Sequence, residues 1–225
     1  MAYLVSEITK LEDSKLSKKF FERETHKVCR DLLGKYLVFQ NRDNFKIGRI
    51  VEVEAYQGFE DKASHASKKK TSRNEVMYGA GGYYYIYLIY GMYYCLNIVT
   101  EKESYPAAIL IRAIEPTYDF TRDLDKMSVK EKRVLGSGPG RLCRWLDIDK
   151  SFNGVSVEGE GLYVTPNIVR TNVRTRSTES FSAEASKNNR CEIVTSKRVG
   201  VDYAGESANN EWRYYDVTSS YITKK

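Results

Sequence analysis

The sequence predicts one mixed α/β (α+β) domain, and three observations carry that expectation. A helical pattern near the start gives way to strand patterns that pair as hairpins, with further helical and strand segments behind them. No internal repeat and no Pro- or Ser-rich linker divides residues 1–225. Hydrophobic residues make up 41%, enough for a substantial core, and charged residues at 29% lie near the globular average, which excludes wholesale disorder.

Taken in order, Ser14 is placed to cap a helix through KLSKKFFERETHKVCRDLLG, with an apolar stripe of Phe20, Phe21, Val28, Leu32 and Leu33 and a stop at Gly34. KYLVFQ reads as a strand, NRDN as a turn and FKIGRIVEVEAY as the antiparallel partner. Residues 58–82 are polar and loop-like, with short helices expected at Asp61–Ser67 and Arg73–Met77. YYYIYLI and YYCLNIVT flank Tyr90-Gly91-Met92 as a hairpin. AAILIRAIEP is a strand stopped by Pro116, followed by a charged helical segment from Thr117 to about Arg133. GSGPGRLCRWLDI reads as a loop feeding a helix, and GLYVTP, CEIVTSKRVGV and EWRYYDV as short strands. The polar stretch Thr171–Arg190 is expected to be a surface loop.

Tyrosine is unevenly spread: eight of the eighteen lie between Tyr78 and Tyr94. A buried tyrosine needs a partner for its hydroxyl, so an ordinary core would favour Val, Ile and Leu there. Strand alternation puts Tyr83, Tyr85, Tyr87 and Ile89 on one face and Tyr84, Ile86, Leu88 and Tyr90 on the other. Tyr90 and Met92 stand at the tip, where polar turn residues are usual. Such a tip resembles the apolar wedges that enter DNA from the minor groove. The plainer alternative is a tip folded back into the core.

RIVEVEAYQGFEDKASHA puts Glu52 and Glu54 on one strand face, opposite Val51, Val53 and Ala55. They are either the solvated face of an edge strand or, with Tyr56 and His65 close by, part of a pocket for a planar base. Arg112 lies in an otherwise apolar strand and needs an acceptor, for which Glu54 or Glu115 is available; the pair is structural or functional.

A net charge of +6 and a pI near 9.0 suit a polyanionic partner. Cys29, Cys95, Cys143 and Cys191 are scattered, with no CxxC and only His26 and His65 as histidines, so buried thiols of a reducing compartment are expected, with no metal site. The start lacks an apolar signal core and no run reaches membrane-span length, so a soluble, intracellular protein is expected.

RIVEVEAY, the SRN of Ser72–Asn74, YIYLIYGMYYCLN, LIRAIEP, SGPGRLC and RVGV-x-YAGE together resemble the alkyladenine DNA glycosylase family, with gaps, from about Phe20 to Tyr215. The resemblance implies a single domain around a curved antiparallel sheet with a protruding hairpin and flanking helices. It implies a monomer without cofactor or metal that works on double-stranded DNA from the minor groove, in the cytoplasm with the nucleoid of a bacterium or in a eukaryotic nucleus. The implied activity is monofunctional: a damaged purine is flipped out and its N-glycosidic bond hydrolysed, leaving an abasic site. The substrates would be 3-methyladenine, with 7-methylguanine, hypoxanthine and ethenoadenine as further candidates. On this resemblance Glu54 is the general base and Arg112 helps hold the water. Tyr56 and Tyr87 sandwich the base, His65 stacks on it and offers a hydrogen bond, Leu110 walls the pocket and Asn97 obstructs the exocyclic amine of guanine. Tyr90 fills the gap in the helix, while Thr71, Arg73, Met92, Tyr93, Arg141, Val199 and Gly200 line the DNA. The AGG turn before Tyr83 departs from the family's more usual Pro-Gly.

A non-catalytic module that reads damaged or single-stranded DNA is the alternative, since tyrosine platforms and basic surfaces serve that equally. A zinc deaminase would need H-x-E and P-C-x-x-C ligands, which are absent. A lyase would need an amine nucleophile, and the lysines here read as solvated surface.

Overall fold

The structure is a computed structural model and describes residues 12–166 and 191–223; the expected loop Thr171–Arg190 lies outside the described residues. The first helical pattern is divided. Helix α1 spans Lys18–Phe21 and α2 spans Thr25–Leu32. The break falls at Glu24, whose backbone leaves the helical conformation while its carboxylate accepts the amides of His26 and Lys27 at 2.9 and 3.0 Å. An acidic N-cap for α2 thus outweighs continuity of the helix. Ser14, expected as the cap, has its hydroxyl on that of Thr165 at 2.6 Å.

Strands β1 (Tyr36–Gln40), β2 (Phe45–Gln57), β3 (Tyr84–Ile89), β4 (Tyr93–Val99), β5 (Ala107–Asp119), β6 (Leu162–Thr165), β7 (Ile193–Ser196) and β8 (Arg213–Asp216) form a curved antiparallel sheet. The order is β3-β4-β5-β2-β1-β6. One edge of β2 is shared: Phe45–Arg49 pairs with β1, and Glu52–Glu54 pairs with β8, which also carries β7. Helix α2 packs on β2 and β5; α3 (Val129–Gly136) and α4 (Pro139–Trp145) pack on β5, and α4 also on β4. The main core lies between these helices and the sheet, around Phe21, Leu32, Ile50, Val53, Tyr84, Ile86 and Ile111.

Irregularities in the long β2–β5 pair set the site. Ile50 faces Ile114, Glu52 faces Ala113 and Val53 faces Ile111, so Val51 is an extra residue on β2 and Arg112 one on β5. Bulges of this kind re-aim side chains and are frequent beside active sites. Across the first bulge the core side changes from Ile50 to Val53 and Ala55, while Val51 packs instead with Ala113 and Tyr221. Regular alternation had put Val51 with Val53 and Ala55; the bulge separates them.

Asp61–Ser67, expected as a short helix, forms only turns and bends, and two boundaries also differ from expectation. Strand β5 does not stop at Pro116 but runs to Asp119. Pro116 sits opposite Gly48 at a register shift that leaves Thr117 as the extra residue, and the Thr117 hydroxyl donates to the Ile47 carbonyl at 3.0 Å. The bulge thereby accommodates a residue with no amide to give. The helix expected from Thr117 begins only at Val129, where Ser128 and Glu131 form a reciprocal capping box. In the AGG turn, a Cβ on Gly81 would lie 2.6 Å from the Phe21 carbonyl oxygen, so close contact with α1 requires glycine there.

Candidate active site

Glu54 lies on β2 between Leu110 of β5 and Arg213 of β8, and it is fully buried. The amide of Val199 donates to its Oε1 at 2.7 Å. The Tyr56 hydroxyl and Arg112 Nη1 donate to Oε2 at 2.8 and 3.3 Å. Arg112 Nε donates to Glu52 Oε1 at 3.1 Å. Glu52, also fully buried, accepts further from Arg213 Nε at 2.7 Å, the Thr223 hydroxyl at 2.7 Å and the Thr223 amide at 2.6 Å. Burial acts against the Arg112 charge, but Glu54 and Glu52 outweigh it and raise its pKa, so it stays cationic. Neither glutamate belongs to a solvated edge. Glu115, a candidate partner for Arg112, is taken by Arg49 at 2.9 and 2.7 Å.

The three groups holding Glu54 all belong to residues that line a cavity of about 430 Å³. His65, Tyr87, Asn97 and Leu110 also line it, as do Tyr90 and Gly200 at the mouth, while Glu54 lies behind its three donors and is not itself a lining residue. The pocket residues expected from sequence are therefore brought together. His65 Nδ1 and the Tyr85 hydroxyl share a hydrogen bond at 2.9 Å, and the imidazole stands at 79° to Tyr87, with centroids 4.6 Å apart. Partial desolvation, and then Arg73, lower its pKa, so the ring is neutral at neutral pH. Asn97 is buried, with Nδ2 donating to the carbonyls of Tyr85 and Cys95 at 3.0 and 3.4 Å, which fixes how its amide faces the cavity. Burial pushes the Cys95 thiol up to about 11, so this lining residue stays protonated.

At the mouth, Ile89, Tyr90, Gly91 and Met92 make a tight turn, with the Met92 amide on the Ile89 carbonyl at 3.2 Å. Tyr90 and Gly91 both have positive φ, +53° and +68°, as a primed hairpin turn demands. Asn-Gly is the usual choice; a tyrosine here holds a backbone conformation unfavourable to it. Its ring is 82% exposed and Met92 64%, so the tip does not fold into the core. Arg73 stands over the Tyr87 ring and Arg144 over that of Tyr93, at 5.5 and 5.4 Å. Thr71, Arg73 and Arg141 are exposed, and Val199 is half-buried. Thr71, Arg73, Met92, Tyr93 and Arg141 do not line the cavity itself.

Several contributors were missed. Tyr85 and Met77 line the cavity from the same strand face and from a 3₁₀ turn, Glu75–Tyr78. Asn74 is buried and ties the loop that carries His65, donating to the carbonyls of His65 and Lys69 at 2.8 and 3.0 Å. Alternation on β3 could have singled out Tyr85. The roles of Asn74 and of Tyr203, an exposed ring at the cavity, have no local signal.

The profile of the methylpurine-DNA glycosylase family matches residues 19–220. A relative from Clostridium novyi is 40% identical over 220 residues, covering 94% of this chain and 99% of its own. One from Methanocella arvoryzae is 45% identical over 213 residues, covering 93% and 96%. A third, from Legionella pneumophila, is 41% identical over 210 residues, covering 93% and 98%. Each bears the name "Putative 3-methyladenine DNA glycosylase". With the match spanning almost the whole chain, including Glu54 and its three donors Tyr56, Arg112 and Val199, the chain belongs to the methylpurine-DNA glycosylase family of base-excision-repair enzymes.

Proposed function

We propose that this protein flips alkylated or deaminated purines out of duplex DNA and hydrolyses their N-glycosidic bond, with 3-methyladenine as a substrate. One observation carries the reading: a fully buried carboxylate, Glu54, is held by three donors whose residues all line an aromatic cavity. A cavity of about 430 Å³ is within the usual range for a small planar ligand. Tyr56 and Tyr87 supply rings for the flipped base, and Leu110 and Asn97 bound its edges. His65, neutral and with Nδ1 engaged, keeps Nε2 for a hydrogen bond to it.

Bond cleavage builds positive charge on the sugar as the base departs. A cationic 3-methyladenine leaves neutral, whereas a neutral lesion such as hypoxanthine takes a proton from solvent water as it leaves. Glu54 takes a proton from water as that water attacks, and its charge stabilises the sugar cation. Arg112 binds Glu54 through Nη1 and Glu52 through Nε, so its remaining nitrogen is left to hold the water. No lysine is among the described residues that line the cavity, which favours hydrolysis by water over a Schiff-base lyase. A protein that only read damage would have little use for a carboxylate desolvated at this depth.

Tyr90 enters the vacated stack. Flipping costs a few kcal/mol, and each base–aromatic stack returns about 1–3 kcal/mol. The test is single-turnover release of free base from methylated duplex DNA and from duplexes with one hypoxanthine or one ethenoadenine. Wild type releases base from at least one of them, and Glu54→Gln binds the same duplexes but releases base about 10²- to 10⁴-fold more slowly. Tight binding without release by the wild type would make the protein a reader of damage.

A further inference from the structure

We propose that the buried Asp61–Arg198 ion pair is a positioning element that sets both the Glu54 carboxylate and the Tyr56 ring. The proposal rests on the reading that Glu54 activates water. Both side chains of the pair are completely buried. Arg198 Nη1 and Nη2 meet Asp61 Oδ2 and Oδ1 at 2.6 and 2.7 Å, a forked geometry that lysine cannot reproduce.

The arginine is a junction. Nη1 also donates to the Ala55 carbonyl at 2.9 Å, one residue past Glu54, and Nη2 to the Ser207 carbonyl at 3.1 Å. Val199, the next residue, gives Glu54 its 2.7 Å amide hydrogen bond. The guanidinium lies 4.7 Å from the Tyr56 ring and 5.0 Å from that of Trp212. The same Tyr56 directs its hydroxyl onto Glu54 Oε2 at 2.8 Å. Two of the three donors on Glu54 are therefore held by Arg198, one through the chain and one through a stacked ring. Asp61 extends the link, accepting the amide of Ala63 at 3.1 Å in the loop that leads to His65.

Neither member of the pair bonds Glu54 directly, and their polar contacts go to each other and to backbone groups, so they act through the Val199 segment and Tyr56. Stability alone is a poor explanation. A buried ion pair is often no better than an apolar replacement, and here Arg198 Nε is buried without a hydrogen-bond partner among the described residues. What an apolar pair could not do is hold two carbonyls, an adjacent amide and an aromatic face in one arrangement.

The experiment compares Arg198→Met, Arg198→Lys and Asp61→Asn with Glu54→Gln and Arg49→Met. Arg49 is the control cation, on the same sheet and bound to Glu115 and Asp216, but away from Glu54. Each variant is measured for melting temperature, for affinity to a duplex carrying a stable abasic-site analogue, and for single-turnover base release at saturating enzyme. Variants at Arg198 and Asp61 are expected to bind the duplex nearly normally and to release base about 100-fold more slowly, the cost of a misplacement of about 1 Å at the reacting groups. Arg198→Lys should recover only part of the rate, and Arg49→Met should lose melting temperature while keeping the rate. Folded Arg198→Met at the wild-type rate, or Arg49→Met slowed as much as Arg198→Met, overturns the proposal. Where Arg198→Met does not fold, Arg198→Lys decides: slowed release with normal binding supports positioning, and the wild-type rate overturns it. Normal release by Glu54→Gln would sink the base assignment, whereas slow Glu54→Gln beside fast Arg198 variants sinks positioning alone.

Discussion

The cavity floor and the tip of the β3–β4 hairpin are both built with tyrosine, and they use it in opposite ways. On the floor the ring hydroxyls are partnered: Tyr56 with Glu54, and Tyr85 with His65. Burial drives the Tyr56 hydroxyl well above its ordinary pKa and the Tyr85 hydroxyl up to about 12, so both stay protonated. At the tip Tyr90 is 82% exposed and holds φ at +53°. One region is over-determined by hydrogen bonds around a buried charge; the other keeps an apolar ring in water on an unfavourable backbone. The first arrangement suits chemistry that needs fixed distances, the second a side chain whose partner is outside the protein.

The largest expected effect is at the floor: Glu54→Gln should slow base release about 10²- to 10⁴-fold, and equal rates for mutant and wild type would remove the distinction between the regions. Next comes its neighbour. Glu52 holds Arg112, Arg213 and the Thr223 end of the chain, so Glu52→Gln should lower unfolding free energy by about 3 kcal/mol, measured by denaturant titration. A Glu52→Gln protein as stable as wild type would show that this carboxylate is not the structural one of the two.

At the tip, Tyr90→Gly relieves the positive φ and should leave the melting temperature unchanged or higher, while damaged-duplex binding weakens about tenfold or more. A lower melting temperature with unchanged binding would mean that the ring serves the fold. The smallest effect is a pH dependence. Burial lowers the pKa of His26, which sits on Gln57 and Tyr214, and partial desolvation lowers that of His65. Below the ordinary imidazole value of about 6.5, the unfolded chain binds more protons than the folded one, so stability falls with falling pH. His26→Gln should flatten part of that slope below about pH 6.5 in denaturation curves; an unchanged slope would assign it elsewhere.

Much of the fold could be read along the chain because periodicity is a local property. Tyr84 and Ile86 do point to the core and Tyr85 and Tyr87 away from it, as alternation requires. The Gly-Pro-Gly loop does feed α4, with Pro139 at its first position. Failures cluster where side chains intervene in the backbone: Glu24 dividing α1 from α2, Thr117 carrying β5 past Pro116, Ser128 and Glu131 delaying α3. The Ser-x-x-Glu of that last cap is a local signal in the sequence.

For the site, the sequence by itself determined which residue types were available and, through family resemblance, that Glu54, Arg112 and the tyrosines belong together. Only the tertiary structure decided that Arg112 takes Glu52 and Glu54 while Glu115 goes to Arg49. That choice depends on the register of β2 against β5 and on bulges at Val51 and Arg112, which no alternation pattern encodes. The same holds for Asp61 and Arg198, 137 residues apart, and for the outward stance of Tyr90. Side-chain period is set between neighbours in the chain. Ion-pair choice and exposure are set by what the fold brings beside them.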